Sequence, residues 1–211
     1  NAETRMNRTQ TALFNAMLHP LIPYTLKGFL WYQGESNRPK PEEYKALFPA
    51  MVQDWRTRWE TDAPFYFVQI APFMYKDNEV FQQVENTAFI REAQLQSVDL
   101  IPNSGISITL DIGDSLWIHP PKKKEVADRL LYQALSKTYG FDGLDPDPPS
   151  YDSMEVLGNK ILLHFKNDDN GLYAKNGIVR NLEIAGADKV FYPAHSKIEK
   201  RRSEEHTSEL Q

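Results

Sequence analysis

Two short stretches of this 211-residue sequence carry side chains able to do acid–base chemistry. The first is Asp111-Ile112-Gly113-Asp114-Ser115-Leu116-Trp117-Ile118-His119-Pro120-Pro121, in which two carboxylates shortly precede an imidazole. A histidine titrates near neutrality, and a carboxylate beside it fixes its tautomer and stabilises the imidazolium, which is what a general base requires. The plainer role for His119 is to cap or pack against the helix expected after the prolines. A divalent metal is the competing chemistry for Asp111, Asp114 and His119, but no HExxH pattern or closely spaced second histidine accompanies them, so no metal site is expected.

The second stretch is Trp31-Tyr32-Gln33-Gly34-Glu35-Ser36-Asn37. It sets amide and acidic side chains around a glycine, which lets another backbone or a ligand approach closely. Read alone, it is equally a strand end with a polar turn. Ser36 lacks the second glycine of a GxSxG elbow and is a weak nucleophile candidate. His19, His164 and His195 stand apart with no partner pattern and read as structural.

The elements around these residues alternate between the two periods. Ala12, Leu13, Ala16 and Met17 recur at helical spacing over Thr9 to Leu18, before Pro20 to Pro23 interrupt. Lys27 to Tyr32 is a compact apolar run, the form of a short buried strand, so the Gln33 segment falls at its C-terminal tip. Pro41 to Trp59 reads as a helix with Tyr44, Leu47, Phe48, Met51, Val52 and Trp55 on one face and a kink expected at Pro49. A second strand over Pro64 to Pro72, a helix over Asn86 to Val98, a third strand over Gly105 to Asp111 and a helix over Lys122 to Tyr139 follow. This alternation predicts an α/β fold with a parallel sheet whose site lies beyond the strand C-termini.

After Gly140 the pattern changes. Asp142 to Ser150 is rich in Pro, Gly and Asp, and Met154 to Leu157, Lys160 to Phe165, Leu182 to Ile184 and Lys189 to Tyr192 alternate like strands. The expected organisation is one domain over residues 1–140, a small β-rich module over 141–200, and a tail over 201–211.

Composition narrows the function. The 41% hydrophobic content is enough for a core. A formal charge of -5 with scattered Lys and Arg gives no footprint for nucleic acid. The absence of cysteine removes thiol redox chemistry, thiolate metal sites and Cys nucleophiles. No apolar run is long enough to span a bilayer. Asn1 opens without a methionine, as if mid-domain, and Arg202 to Gln211 (RSEEHTSELQ) is the translation of a common short-read sequencing adapter. The tail, with His206, is therefore expected to be an artefact without structure, and the chain a fragment.

Together the two stretches resemble one family. LFNAMLHPLIPYTLKGFLWYQGESN, within Thr11 to Asn37, closely resembles the sialate O-acetylesterases of the SGNH-hydrolase group, and DIGDSLWIHPPKKKEVADRL resembles their histidine block. Arg91-Glu92-Ala93-Gln94 is similar to the family's intervening helix, and Glu183 to Ala194 to the β module that follows. The resemblance implies a three-layer SGNH-like parallel sheet, here without its N-terminal part, and a serine esterase acting on O-acetylated sugars without a cofactor. It implies His119 as base and a nucleophilic serine upstream of this chain, leaving the fragment inactive. Asp114 is the first candidate for the acid partner and Asp111 the second, because Trp117 and Leu116 stand where related hydrolases often have an Asp. Gln33, Gly34, Glu35 and Asn37 are expected at the substrate or oxyanion side. Arg91 and Gln94 are candidates for the cleft, with helix-surface roles as the alternative. Deacetylation of xylan or other polysaccharides, and sugar binding without catalysis, are the competing readings. A periplasmic or secreted location is implied by resemblance alone.

Overall fold

The computed structural model describes residues 9–75, 87–174, 179–199 and 207–210. By compactness the chain divides into two units, residues 1–146 and 147–211.

The first unit is built on a parallel sheet of β1 (Phe29–Trp31), β2 (Phe65–Val68) and β3 (Ser104–Ser107), in that order. Phe29 pairs with Phe65 and Phe65 with Ser104, so the three C-terminal ends lie along one edge. Every β2 residue is buried, as a central strand covered on both faces requires. Its side chains alternate between two cores. Phe65 and Phe67 join Tyr44, Phe48 and Val52 of α1 (Pro41–Arg58) and Ile90 and Ala93 of α2 (Ala88–Leu100). Tyr66 and Val68 face Val126 and Leu130 of α3 (Lys123–Gln133). Complete burial of each such side chain contributes about 1.5–3 kcal/mol.

α1 begins at Pro41, whose missing N–H costs nothing in a first turn, and carries Glu42 and Glu43 there and Arg56 and Arg58 in its last turn, complementing the helix dipole. It runs unbroken through Pro49. Its buried stripe is Tyr44, Phe48 and Val52; Leu47, expected on that face, is 61% exposed. Arg56 is buried, where its guanidinium donates to the Ala63 and Asn103 carbonyls (3.1 Å each) and ties the helix end to the turns before β2 and β3. Before the sheet, Phe14–Leu18 and His19–Leu21 form a π-helical and a 3-10 turn, so Pro20 continues the helical path. The expected helix start at Asn86 lies outside the described residues, and no helix among the described residues is long and apolar enough to cross a membrane.

The first unit extends past Gly140 because the Pro-rich segment folds back on α3: Gln133 donates to the Pro146 carbonyl (3.0 Å) and Ser136 to that of Leu144 (3.2 Å).

In the second unit β4 (Ser150–Leu157) and β5 (Lys160–Lys166) form a hairpin turned at Gly158, whose φ is 66°. β6 (Glu183–Ala185) pairs with β7 (Phe191–Pro193). Residues 207–210 differ from the expectation of no structure. They form β9 (Thr207–Leu210), antiparallel to both β5 and β8 (Ser196–Glu199), and so pair backbone edges that would otherwise stay open. Residues 200–206, with His206, lie outside the described residues.

Candidate active site

The loops leaving the C-terminal ends of β1, β2 and β3 enclose a cavity of about 630 Å3. Glu35, Ser36 and Arg38 line it from the first loop, Phe73, Met74 and Tyr75 from the second, and Ser115, Leu116 and Ile118 from the third. A parallel sheet places its loops here because every strand delivers its chain to the same edge.

The loop after β1 is densely bonded. A 3-10 turn, Glu35–Asn37, folds it back so that Gln33 Nε2 donates to Asn37 Oδ1 at 2.7 Å. The Gln33 carbonyl accepts from Gln94 Nε2 (3.2 Å) and from the Tyr44 hydroxyl (3.4 Å). Gln94 is 0% exposed, and its Oε1 accepts from the Ile70 backbone N–H at 2.9 Å. Its amide therefore spans the ends of β1 and β2. Gly34 has φ +148°, and a Cβ there would lie 2.7 Å from Gln94 Nε2 and 3.1 Å from Ile70 Cγ2. Only glycine fits both the torsion and the space.

Around this turn lie phenols and guanidiniums. Arg38 is buried, its guanidinium 3.5 Å from the centre of the Tyr75 ring, a cation–π contact. Burial pushes the phenols of Tyr32, Tyr44 and Tyr75 up, with the Glu35 charge adding to the rise in each and Arg38 opposing it at Tyr75. Arg91 donates to the Thr87 hydroxyl, and its carbonyl accepts from Gln69 Nε2 at 3.0 Å. Burial lowers its pKa, with the neighbouring Tyr75 acting the other way.

The loop after β3 is held more sparsely. Gly113 sits so close to the preceding loop that a Cβ would lie 2.5 Å from the Pro72 carbonyl oxygen. Asp114 Oδ1 accepts from the backbone N–H groups of Leu116 (2.7 Å) and Trp117 (3.1 Å), an Asx turn that shapes the run into His119. Both Asp111 oxygens are taken by the Arg129 guanidinium at 2.7 Å, a bidentate pair that holds the carboxyl pKa below its ordinary value. Arg129 also donates to the Ile108 carbonyl. His119 is exposed in the loop four residues before α3, and among the described residues its ring makes no hydrogen bond.

The structure thus brings Gln33, Gly34, Asn37 and Gln94 into one bonded cluster, with Glu35 on the cavity wall. It sets Asp111, Asp114 and His119 on one loop, each carboxylate with contacts of its own. Gln94 lies inside the fold and Arg91 is half-buried, so neither is a plain helix-surface residue. Tyr44, Arg38, Tyr75 and Arg129 are additions. Tyr44 is legible only as a core residue, and nothing local in the sequence links Arg129 to Asp111. Among the described residues no three His, Asp or Glu side chains converge as a metal site would require.

The first unit is a three-layer α/β fold with amide groups beyond one strand and an imidazole on the loop beyond another. The chain belongs to the family of carbohydrate esterases described as sialic acid-specific acetylesterases, whose model matches residues 3–135. It is 35% identical to the sialate O-acetylesterase of Mus musculus over 176 residues, and 32% identical to that of Homo sapiens over 168 residues; these cover 75% and 73% of this chain. A crystal structure of a carbohydrate acetylesterase from Xanthomonas citri superposes with a TM-score of 0.79 at 31% identity over 94% of the chain. The fold is that of the SGNH-like acetylesterases. The chain spans 32% of the length of these curated relatives and 45% of the solved one.

Proposed function

We propose that this chain is the part of a serine esterase that carries the base and the substrate-facing amides, and that the whole enzyme removes O-acetyl groups from sugars, sialic acids foremost. The observation that carries the reading is the convergence of two loops on one cavity: the loop after β1 lines it with Glu35, Ser36 and Arg38, and the loop after β3 with Ser115, Leu116 and Ile118, the residue before His119.

The chemistry follows from those groups. A serine outside this chain attacks the acetyl carbonyl while His119 takes its proton. The tetrahedral intermediate collapses as the bond to the sugar oxygen breaks and the imidazolium gives that oxygen the proton, releasing the sugar hydroxyl and leaving an acetyl-serine. Water, activated by the same imidazole, then releases acetate from the serine. Gln33, Glu35 and Asn37 contact the substrate side. Asp114 serves His119 through the shape of the loop, and Asp111 anchors the loop's beginning to α3 through Arg129. The substrate is an O-acetylated carbohydrate, met in a periplasmic or extracellular setting.

The test is a substrate panel on the longer protein that contains this chain. Hydrolysis of 4-nitrophenyl acetate together with acetate release from O-acetylated sialic acids supports the reading. Release from acetylated xylan alone moves the substrate to plant polysaccharide, and no release from any acetyl ester leaves sugar binding without catalysis.

A further inference from the structure

Gly34 presents a buried backbone donor without a partner. The residue is buried, and among the described residues its N–H donates to no acceptor. Buried amides left unpaired are rare and costly, so each one calls for a reason. The carbonyl on the other side of the same peptide is the opposite case. Gln33 O receives both Gln94 Nε2 and the Tyr44 hydroxyl, from α2 and α1, which pack on one face of the sheet. The bond is trans, so C=O and N–H point in opposite directions. Pinning the oxygen toward α1 and α2 therefore aims the Gly34 hydrogen away from them.

We infer that the Gly34 N–H is a donor to the acetyl oxygen as it becomes an oxyanion, and that Gln94 is the positioning residue that orients it. The inference rests on the esterase reading above. Gln94 suits the task because its two ends are both committed, Oε1 to the Ile70 N–H and Nε2 to the Gln33 oxygen. The side chain has no freedom to turn, and the peptide it holds has none either. The glycine is demanded by the same device, since a Cβ would collide with the amide that does the holding. A donor fixed before the reaction stabilises developing charge without reorganising, and one such donor is worth about 100-fold or more in kcat.

Two variants of the longer, active protein test this. Q94L removes both bonds and is expected to lower kcat about 100-fold with KM little changed, because the donor acts on the oxyanion and not on the bound ester. Q94E keeps the shape. While protonated its carboxyl can still donate to Gln33 O and accept from Ile70 N–H. Its kcat should approach wild type at the acidic end of the profile and fall as pH rises and the carboxyl ionises, where the wild-type kcat does not fall. A purely structural role predicts that Q94E loses stability in urea unfolding in step with kcat as pH rises, whereas the positioning role predicts the fall in kcat at pH values where the variant remains folded by circular dichroism. If Q94L fails to fold, the Q94E profile decides alone. A Q94E enzyme with the wild-type kcat and pH dependence overturns the inference while the esterase reading stands; a wild type inactive on every acetyl ester overturns both.

Discussion

The loops after β1 and β3 both border the same cavity, yet they are held in opposite ways. The first is fixed by buried side chains of two helices, which bond its carbonyl and fill the space where a Cβ would go. The second is held mostly at the surface, by the Asp114 turn and the Asp111–Arg129 pair at its start, with Leu116 and Trp117 76% and 68% exposed and His119 open to solvent. The contrast fits the tasks proposed for them. A donor to a transient charge gains from being immobile, whereas a base that shuttles a proton needs reach and contact with water.

The sharpest way to break the contrast is at the base. His119→Ala in the longer protein is expected to lower kcat by about 100- to 10,000-fold on 4-nitrophenyl acetate with an unchanged circular dichroism spectrum. Retained activity would move the base elsewhere. Asp114 comes next, and it separates two roles. An Asn side chain still offers the oxygen that accepts from Leu116 and Trp117, so Asp114→Asn should keep kcat within about threefold while Asp114→Ala loses about tenfold. Were Asp114 the acid partner of the imidazole, Asn would cost orders of magnitude instead.

On the rigid side, Gly34→Ala should destabilise the protein by about 2 kcal/mol in urea unfolding, through the forbidden torsion and the clash with Gln94. The smallest effect belongs to Asp111. Its carboxyl is about two-thirds exposed, so Asp111→Asn should cost less than about 1 kcal/mol. Arg129 lowers its folded-state pKa, so the stability it adds is present at neutral pH and lost as pH falls through that lowered value. The gap between wild-type and Asp111→Asn unfolding midpoints should accordingly close in acid.

Much of the first unit was legible in the sequence. Phe65 to Val68 and the Tyr44, Phe48, Val52 stripe are apolar at the periods of a buried strand and an amphipathic helix, and the alternation of elements implied the parallel sheet. Leu47 misleads because periodicity gives a wide apolar stripe, while the packed contact is narrower. Of the site, the positions of Gln33 to Asn37 and of the His119 loop followed from where strands end. What each side chain does there was not legible. Gln94 looks like any helix glutamine until the fold puts it against Gln33 and Ile70. Asp111 looks like a partner for histidine until α3 brings Arg129 across, because pairings made by tertiary packing leave no local pattern.

The central claim is that this chain supplies the base and the donors but not the nucleophile. Treating the longer protein with a fluorophosphonate and mapping the adduct by mass spectrometry tests it directly. The account predicts a single modified serine outside residues 1–211; an adduct on Ser36, exposed at the cavity wall, would contradict it.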